Sequence, residues 1–535
     1  MPYPQMKRYQ GPVDVCIVGS GAGGSVLAKE LAEAGASVVV LEAGEWVTRE
    51  DMRNDELASF SLMNWDDLRI VDGQDPLTLG WPNTGRGVGG STLHFTAVAL
   101  RLHASDFRVR SQDGVAVDWP ISYQDLDQYY RQVEHALGVS GPLHFPWGEF
   151  HGPYPMGALP PACRDQKIGR GMDRLGIRWV MAPHAIVTGD WDGRSACMNY
   201  GFCIHGCKSD AKSSMHVTYL PKAIAAGAEV RTGCMAFQVN LSPGGLARSV
   251  SYYDRDGREH QQEAALVCLC CYSVETPRLL LNSRSALFPD GLANSSGLVG
   301  RNLMVHLGNN SYARFDDPVD AFVTPPVGLC SQDFYETSPA HDYVRGWTFE
   351  SYFLFPISFA TSLIYDYPDL WGQRMVELMK DYTHFAMLGI VGEVLPHPDH
   401  RVTLAQERDR FGIPVARVTF SRDDNARRMS QAADATSRQI LEAAGANLIL
   451  PTHPFDHLLG TCRMGADPAQ SVVNPWCRAH DVDNLYIVDG SVFPTAGAVN
   501  PSLTIMALAT RTAAHLTERA RRGELGLALV GRRSP

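Results

Sequence analysis

Six consecutive residues near the N-terminus, and one acidic residue beyond them, have the types and spacing that could bind a dinucleotide. The six read Gly19-Ser20-Gly21-Ala22-Gly23-Gly24, and the acid is Glu42. Glycines at this spacing let the backbone turn tightly and approach a pyrophosphate, and a helix that begins here supplies free N–H groups. A carboxylate about 20 residues on can accept hydrogen bonds from a ribose diol. The predicted dinucleotide contacts are Gly19, Gly21, Ala22, Gly24 and Glu42.

The elements around these residues are those of a β-α-β unit. Residues 13–18 (VDVCIV) are rich in β-branched side chains, which predicts a buried parallel strand. Residues 25–34 have the apolar spacing of a helix that Gly35 ends, and residues 37–41 predict the second strand. This setting argues against a chance glycine-rich turn. The motif does not distinguish FAD from NAD, although Glu42 argues against a 2′-phosphate.

Length and composition exclude several other classes of protein. The chain has 535 residues, of which 45% are hydrophobic and 20% charged, and its formal net charge is −11. It is too apolar to be disordered throughout and too acidic to suggest a nucleic-acid partner. No stretch reaches the about 18 uncharged apolar residues of a membrane span, and residues 1–9 lead into no signal-peptide core. We therefore expect a cytoplasmic enzyme of more than one domain, whose oligomeric state the sequence does not indicate.

A second glycine-rich segment, residues 84–101 (TGRGVGGSTLHFTAVALR), would also let the backbone approach a flat or charged ligand. Three later segments are residues 299–303 (VGRNL), 457–465 (HLLGTCRMG) and 486–507 (YIVDGSVFPTAGAVNPSLTIMA). Together with the N-terminal motif, and in this order, they resemble the glucose-methanol-choline (GMC) family of FAD oxidoreductases. The segments span almost the whole chain. The resemblance implies FAD rather than NAD.

The resemblance also implies an α/β fold in which a Rossmann-type FAD-binding domain is interleaved with an α+β substrate domain. We expect residues 1–105, 191–310 and 455–535 to form the FAD-binding domain, and residues 106–190 and 311–454 to form the substrate-binding domain. The two substrate stretches contain many aromatic residues. Aromatic rings suit the apolar faces of sugars, but they equally suit an ordinary core.

His457 resembles the family's active-site histidine in an H-x-x-G-T block, and Asn500 resembles the second position in front of the flavin, which is His or Asn. Oxidation of an alcohol needs a base for the hydroxyl proton while hydride leaves the carbinol carbon for flavin N5, and His titrates nearest neutral pH. An Asn amide can hold the substrate oxygen without ionising. We therefore expect His457 and Asn500 to be catalytic, with Asn500 also contacting FAD.

The other FAD contacts are implied by the same resemblance. Asp489 and Gly490 match positions that contact the pyrophosphate or the ribityl chain, and Ala236 lies about where main chain meets the adenine. Thr504 closes the segment that begins at Asn500. The contacts from the second glycine-rich segment are Arg86, Gly89, Gly90, Ser91, His94 and Thr96.

Residues 89–96 (GGSTLHFT) and 500–504 (NPSLT) further resemble pyranose 2-oxidase and related sugar oxidoreductases. In pyranose 2-oxidase and choline oxidase, the histidine at the His94 position carries the flavin through a covalent bond. We favour packing of His94 along the isoalloxazine without that bond, and the covalent link stays an alternative. Thr96 would then lie near flavin N5 and C4a.

Three cysteines, Cys197, Cys203 and Cys207, flank His205 in the densest cysteine region. Three thiolates and a histidine could surround a metal, and some membrane-associated sugar dehydrogenases of this family carry a three-iron cluster in a comparable loop. Zinc sites usually pair cysteines at shorter spacing, however, and common iron–sulfur runs have four cysteines. We therefore expect reduced, partly buried thiols and no metal.

These features predict an oxidase that converts a secondary ring hydroxyl, at carbon 2 or 3 of a pyranose sugar or glycoside, to a keto-sugar. Among sugar oxidases, the sequence most resembles the bacterial C-glycoside 3-oxidases. Electrons would pass from the flavin to O2, giving H2O2. Two alternatives stay open: a sugar- or gluconate-type dehydrogenase subunit that uses a quinone or cytochrome, and a lyase similar to the hydroxynitrile lyases, which performs no net redox chemistry.

Overall fold

The computed structural model describes residues 6–63, 65, 67–79, 84–149, 152–322 and 325–525. Residues 1–5 and 526–535, at the two ends of the predicted FAD-binding domain, lie outside this description. Within it the chain has a mixed α/β fold with twenty strands and eleven α-helices.

The strands are β1 (Val13–Val18), β2 (Val38–Leu41), β3 (Ile70–Asp72), β4 (Ser140–Gly141), β5 (Met156–Gly157), β6 (Val180–Met181), β7 (Glu229–Arg231), β8 (Met235–Leu241), β9 (Ala247–Tyr253), β10 (Glu259–Leu269), β11 (Met304–Leu307), β12 (Asn310–Arg314), β13 (Val327–Ser331), β14 (Trp347–Tyr352), β15 (Phe385–Glu393), β16 (Arg401–Arg408), β17 (Pro414–Thr419), β18 (Leu448–Thr452), β19 (Phe455–Leu459) and β20 (Leu485–Ile487). The helices are α1 (Ala22–Glu33), α2 (Glu56–Met63), α3 (Val109–Asp113), α4 (Tyr123–Leu137), α5 (Cys163–Arg174), α6 (Tyr219–Ala225), α7 (Tyr272–Asn282), α8 (Pro356–Asp366), α9 (Gln373–Lys380), α10 (Asp424–Ala443) and α11 (Ser502–Arg521).

The first sheet contains the glycine motif, and its strand order is β7-β2-β1-β10-β9-β8, with β20 beside β10. β7, β2, β1, β10 and β20 are parallel to their neighbours, whereas β9 and β8 run antiparallel. The predicted β-α-β unit is confirmed, since β1 spans residues 13–18 and β2 begins at Val38. α1 begins at Ala22, earlier than the predicted residue 25, because the helix already includes the last glycines of the motif.

Two glycines of the motif are required by close backbone packing. Gly19 has a φ of +95°, and a Cβ there would lie 2.4 Å from the carbonyl oxygen of Cys270. A Cβ on Gly24 would lie 2.0 Å from the carbonyl oxygen of Gly19. A side chain at Gly19 would therefore push against the backbone that follows β10, and one at Gly24 would push α1 away from the end of β1.

The second sheet is antiparallel, with the order β18-β12-β15-β14-β13-β6, and β11 pairs with both β15 and β19. α5 and α10 pack on one of its faces. β11 and β19 come from segments that the sequence analysis gave to the FAD-binding domain, yet they pair within this sheet. The domain boundaries stay a prediction. Two small sheets, β16-β17-β3 and β4-β5, complete the strands.

None of the described helices is both long and apolar enough to cross a lipid bilayer.

We predict that Gly24→Ala lowers both stability and FAD content. The new methyl group must displace the backbone of Gly19, and overpacking of this kind costs about 1–3 kcal/mol. The apparent Tm and the flavin absorbance per chain would measure the loss. Gly157→Ala is the matched control, because a Cβ there meets nothing within 4 Å. Equal Tm and flavin content in the two variants would contradict the packing argument.

Candidate active site

A cleft of about 840 Å³ opens at the carboxyl ends of β1 and β2. This is the edge where doubly wound sheets bind dinucleotides. Of the residues predicted to bind FAD, six line the cleft: Gly19, Gly21, Glu42, Gly90, Ser91 and Ala236.

The two glycine-rich segments meet at this cleft. Gly90 has a φ of +57°, and a Cβ there would lie 2.7 Å from the Cα of Gly21. A Cβ on Gly21 itself would have only one atom within 4 Å, so this side of the backbone is open. Gly21 is also the N-cap of α1. As a glycine it has no side chain that could cap the N–H groups of the first helical turn. An open glycine backbone at a helix N-terminus fits a pyrophosphate.

Glu42 holds both segments through Ser20. Glu42 Oε2 accepts hydrogen bonds from Ser20 N at 3.0 Å and from Ser20 Oγ at 2.7 Å, while Oε1 accepts from Gly44 N at 2.8 Å. Ser20 Oγ in turn accepts from Gly89 N at 3.0 Å. Burial raises the pKa of Glu42, and these hydrogen bonds oppose the rise. Ser20 was not predicted as a site residue, because a serine inside a glycine motif has no distinctive spacing.

The remaining predicted FAD contacts are not among the residues that line the cleft. Arg86 forms an ion pair with Asp67, with Nη1 and Oδ2 3.2 Å apart. His94 is buried, and burial together with Lys212 lowers its pKa to about 3, which keeps the ring neutral. The hydroxyl of Thr504 is 2.8 Å from that of Tyr130. Ala22 and Gly24 belong to α1, and Thr96 is half-buried.

Asp489 and Gly490 lie where β20 leads toward α11. Asp489 Oδ2 accepts from Tyr272 N at 3.0 Å and from Thr276 Oγ1 at 2.6 Å, and Oδ1 accepts from Ser491 N at 2.8 Å. Burial raises the pKa of Asp489. Its hydrogen bonds fix the start of α7, whose Tyr272 lines the cleft.

His457 lies at a bulge in β19. His306 is paired with Asp456 and Met304 with Leu459, so His457 and Leu458 together lie opposite one residue of β11. His457 has a φ of +50°, a conformation uncommon outside glycine. Bulges of this kind redirect side chains. Here the bulge brings the imidazole of His457 to His306.

The hydrogen bonds of the two histidines define their protonation. His306 Nε2 lies 2.7 Å from the Gly497 carbonyl oxygen, so Nε2 carries the proton, since a carbonyl only accepts. Burial lowers the pKa of His306 to about 4 and of His457 to about 3, so both rings are neutral near pH 7. His306 Nδ1 therefore accepts from His457 Nδ1 at 3.0 Å. The neutral ring of His457 then keeps its lone pair on Nε2, ready to accept a proton.

Asn500 is carried by a segment, residues 497–500, that we call the docked loop. Glu393 of β15, Thr348 of β14 and Tyr335 hold it by hydrogen bonds. Gly497 N donates to Glu393 at 3.0 Å, and Ala498 N donates to Tyr335 at 3.1 Å. Thr348 Oγ1 donates to Ala498 O at 2.6 Å. Asn500 is 5% exposed, and its Oδ1 has no hydrogen-bond partner among the described residues.

A network of buried ion pairs fixes the side chains that bind the docked loop. Arg345 Nε is 2.7 Å from Glu393 Oε2, and the same guanidinium contacts Asp106. Tyr335 donates to the other oxygen of Asp106 at 2.7 Å. These residues lie in stretches without motifs, so the sequence analysis missed them, as it missed His306.

Two further acids near His457 were also missed. Glu350 on β14 is fully buried, and burial together with the nearby Asp456 raises its pKa to about 7, against the effect of Tyr352. Burial raises the pKa of Asp456 to about 6. The Asn500 amide is close enough to Glu350 to lower its pKa.

The cysteine-rich segment contains free thiols at Cys197, Cys203 and Cys207. Among the described residues, no group of three or more His, Cys, Asp or Glu side chains is arranged to hold a metal ion. The ammonium of Lys212 occupies part of this region and donates to the carbonyl oxygens of Leu93 and Cys203.

The glycine-lined cleft fits a dinucleotide, and the neutral His457, which His306 links to the docked loop, fits a proton acceptor. Family models described as GMC oxidoreductase match residues 14–308 and 396–509. The chain belongs to the GMC oxidoreductase family. It is an FAD-dependent enzyme that acts on CH–OH groups, so the predicted family, fold class and cofactor are confirmed.

Several known proteins are similar over nearly their whole length. The 2-methyl-1,2-propanediol dehydrogenase of Mycolicibacterium austroafricanum is 33% identical over 95% of each chain. The paromamine 6′-oxidase of Streptomyces fradiae is 32% identical over 94% of this chain and 90% of its own. The solved structure of Aspergillus oryzae formate oxidase has a TM-score of 0.68 and 15% identity, covering 97% of this chain and 100% of its own.

We predict that Glu350→Gln makes the protein more stable than the wild type as pH rises. The pKa of Glu350 is about 7 when folded and about 4.5 when unfolded, so the folded protein keeps the proton longer. Wild-type stability therefore falls between about pH 4.5 and pH 7, and the variant avoids a loss of about 1–3 kcal/mol. Tm measured across this range tests the difference.

The matched control is Glu407→Gln, which neutralises an exposed acid on β16. Its Tm difference from the wild type should stay flat with pH. A flat difference for Glu350→Gln as well would refute the shifted pKa.

Proposed function

We propose that the protein is an FAD-dependent oxidase of a pyranose sugar or glycoside, which converts a secondary ring hydroxyl at carbon 2 or 3 to a ketone. The observation that supports alcohol oxidation is the hydrogen-bond chain from Gly497 through His306 to His457, which leaves His457 Nε2 without a proton. The similarity of residues 89–96 to sugar oxidoreductases, and the named activity of the Streptomyces relative, support a sugar-like substrate.

Two residues of the chain would act on the substrate: one as a base, and one as a hydrogen-bond donor to the substrate oxygen. FAD, when bound, accepts the hydride that leaves the carbinol carbon. His457 Nε2 takes the hydroxyl proton, so that one hydride and one proton leave the alcohol and a ketone remains. The amide of Asn500 donates a hydrogen bond to the same oxygen. Burial of Asn500 keeps water from competing for that bond.

The cofactor would be held by the glycine backbone, Glu42 and the residues after β20, with no covalent bond to His94. Acid precipitation of the protein is therefore expected to release all of its yellow colour. Colour retained in the pellet would establish the covalent alternative.

Transfer of the electrons to O2, which would give H2O2, is the proposed second half of the reaction. The alternative is a dehydrogenase that uses another acceptor. One observation favours it: the similar Mycolicibacterium protein is named a dehydrogenase and not an oxidase.

We predict that a pyranose or aryl glycoside bleaches the flavin band of the anaerobic protein, and that air restores the colour with release of peroxide. Absorbance near the flavin maximum and a peroxide assay would follow the two steps. Bleaching without return would establish the dehydrogenase alternative. If no sugar bleaches the flavin, the proposed substrate class is wrong.

In the same assay, His457→Ala should keep its FAD but reduce it about 10²- to 10⁴-fold more slowly, because the proton acceptor is lost. His144→Ala removes an exposed histidine and should react like the wild type. An unchanged rate in His457→Ala would exclude His457 as the base.

A further inference from the structure

Two acids lie on the same face of the second sheet as His306, and the proposed mechanism uses neither. Asp456 is directly opposite His306 in the pairing of β11 with β19, so their side chains share a face. Glu350 is two residues from Thr348, whose hydroxyl donates to Ala498 in the docked loop, so Glu350 also points to the loop side. The register therefore places both acids beside the catalytic residues.

Glu350 and Asn500 are buried and Asp456 is half-buried, and Tyr352 and the Asn500 amide are the donors that lower the pKa of Glu350. Glu350 Oε2 accepts from Tyr352 at 2.7 Å, but Oε1 has no partner among the described residues, and the side chain is 0% exposed. Asn500 Oδ1, in the neighbouring side chain, also has none. A buried acceptor without a donor is costly, so a ligand that brings donors would satisfy both residues.

These two acids also lack a cation. Neither Glu350 nor Asp456 forms an ion pair with a described Lys, Arg or His, and Asp456 raises the pKa of Glu350 further. Other buried acids of the protein are compensated in one of two ways. Glu393 and Glu275 pair with Arg345 and Arg278. Glu42 and Asp489 each accept three hydrogen bonds from neutral donors. Because buried acids are rarely left uncompensated, the missing positive charge is expected to come from outside the chain.

Building on the proposed function, we propose that Glu350 and Asp456 bind a protonated amino group, and that the substrate is an amino sugar or another amine-bearing alcohol. A primary ammonium has three N–H donors. Three acceptors are present: Glu350 Oε1, the carboxyl group of Asp456, and Asn500 Oδ1. Hydrogen bonds between ions are about twice as strong as neutral ones. With a neutral hydroxyl in this place, the two acids could lose their charge only by taking up protons.

The test compares amino sugars with matched neutral sugars on the wild-type holoenzyme. The probes are glucose with an amino group in place of the hydroxyl at carbon 2, 3 or 6, together with glucose itself and N-acetylglucosamine. We expect at least one amino sugar to reduce the anaerobic flavin about 10- to 100-fold more efficiently than glucose, the effect of a hydrogen bond to a charged group. N-acetylglucosamine should lose this preference because its nitrogen carries no charge.

Glu350→Gln should lose the preference for the amino sugar over glucose, measured as the ratio of the two efficiencies, by about 10-fold or more. Asp456→Asn is the second variant if Glu350→Gln does not bind FAD. Glu407→Gln, on the exposed surface of β16, should keep the wild-type preference. The proposal is overturned if no amino sugar exceeds glucose, or if the preference survives in both acid variants.

Binding separates this inference from the proposed function. If none of the sugars reduces the flavin, the proposed function fails. The ammonium site is then tested by binding alone, as the shift in Tm of the holoenzyme with each amino sugar. The ammonium site is supported if an amino sugar raises the Tm, glucose does not raise it, and Glu350→Gln abolishes the rise. No stabilisation by any of them overturns it.

Discussion

The hydrogen bond from His306 to the Gly497 carbonyl is the interaction on which the catalytic arrangement depends. It joins the second sheet to the docked loop that leads into α11, and it decides which nitrogen of His306 carries the proton. That choice is passed to His457 through the shared Nδ1–Nδ1 contact. Because a carbonyl oxygen cannot donate, the tautomers of both rings follow from backbone geometry. The contact between the second sheet and the docked loop thus sets the tautomer of the proposed base.

The docked loop is held by a closed circuit of polar contacts. From the loop amides at residues 497–498 the circuit runs through Glu393, Arg345, Asp106 and Tyr335 and back to the loop. Breaking one partner of a buried ion pair costs about 3–5 kcal/mol, because the other charge remains buried. The circuit therefore resists partial loosening. Its stiffness matters for the proposed mechanism, because a small displacement of Asn500 would move the substrate oxygen that we propose it binds relative to the proposed base.

The features that depend on residues close together in the sequence could be predicted from it. The glycine motif, β1 and β2 depend on neighbours along the chain, and their bounds matched to within a residue at most ends. His457 and Asn500 could be chosen from short motifs. The partners of these residues could not: His306 and His457 are separated by 151 residues, and the bulge that joins them depends on strand register. Glu350 had no signal, since one acid in a mostly apolar strand marks neither a surface nor a site.

The bulge in β19 also bears on how this site can diverge. Asp456 faces His306 by ordinary strand alternation, whereas His457 reaches the same face only because one extra residue interrupts that alternation. Substitution can alter either side chain while the strand keeps its length. Insertion or deletion of one residue between them and Gly460 would instead exchange which side chains face the docked loop. We therefore expect this strand to tolerate substitutions but not insertions or deletions. Relatives with different substrates would then differ in the side chains around the histidine and not in the spacing of the strand.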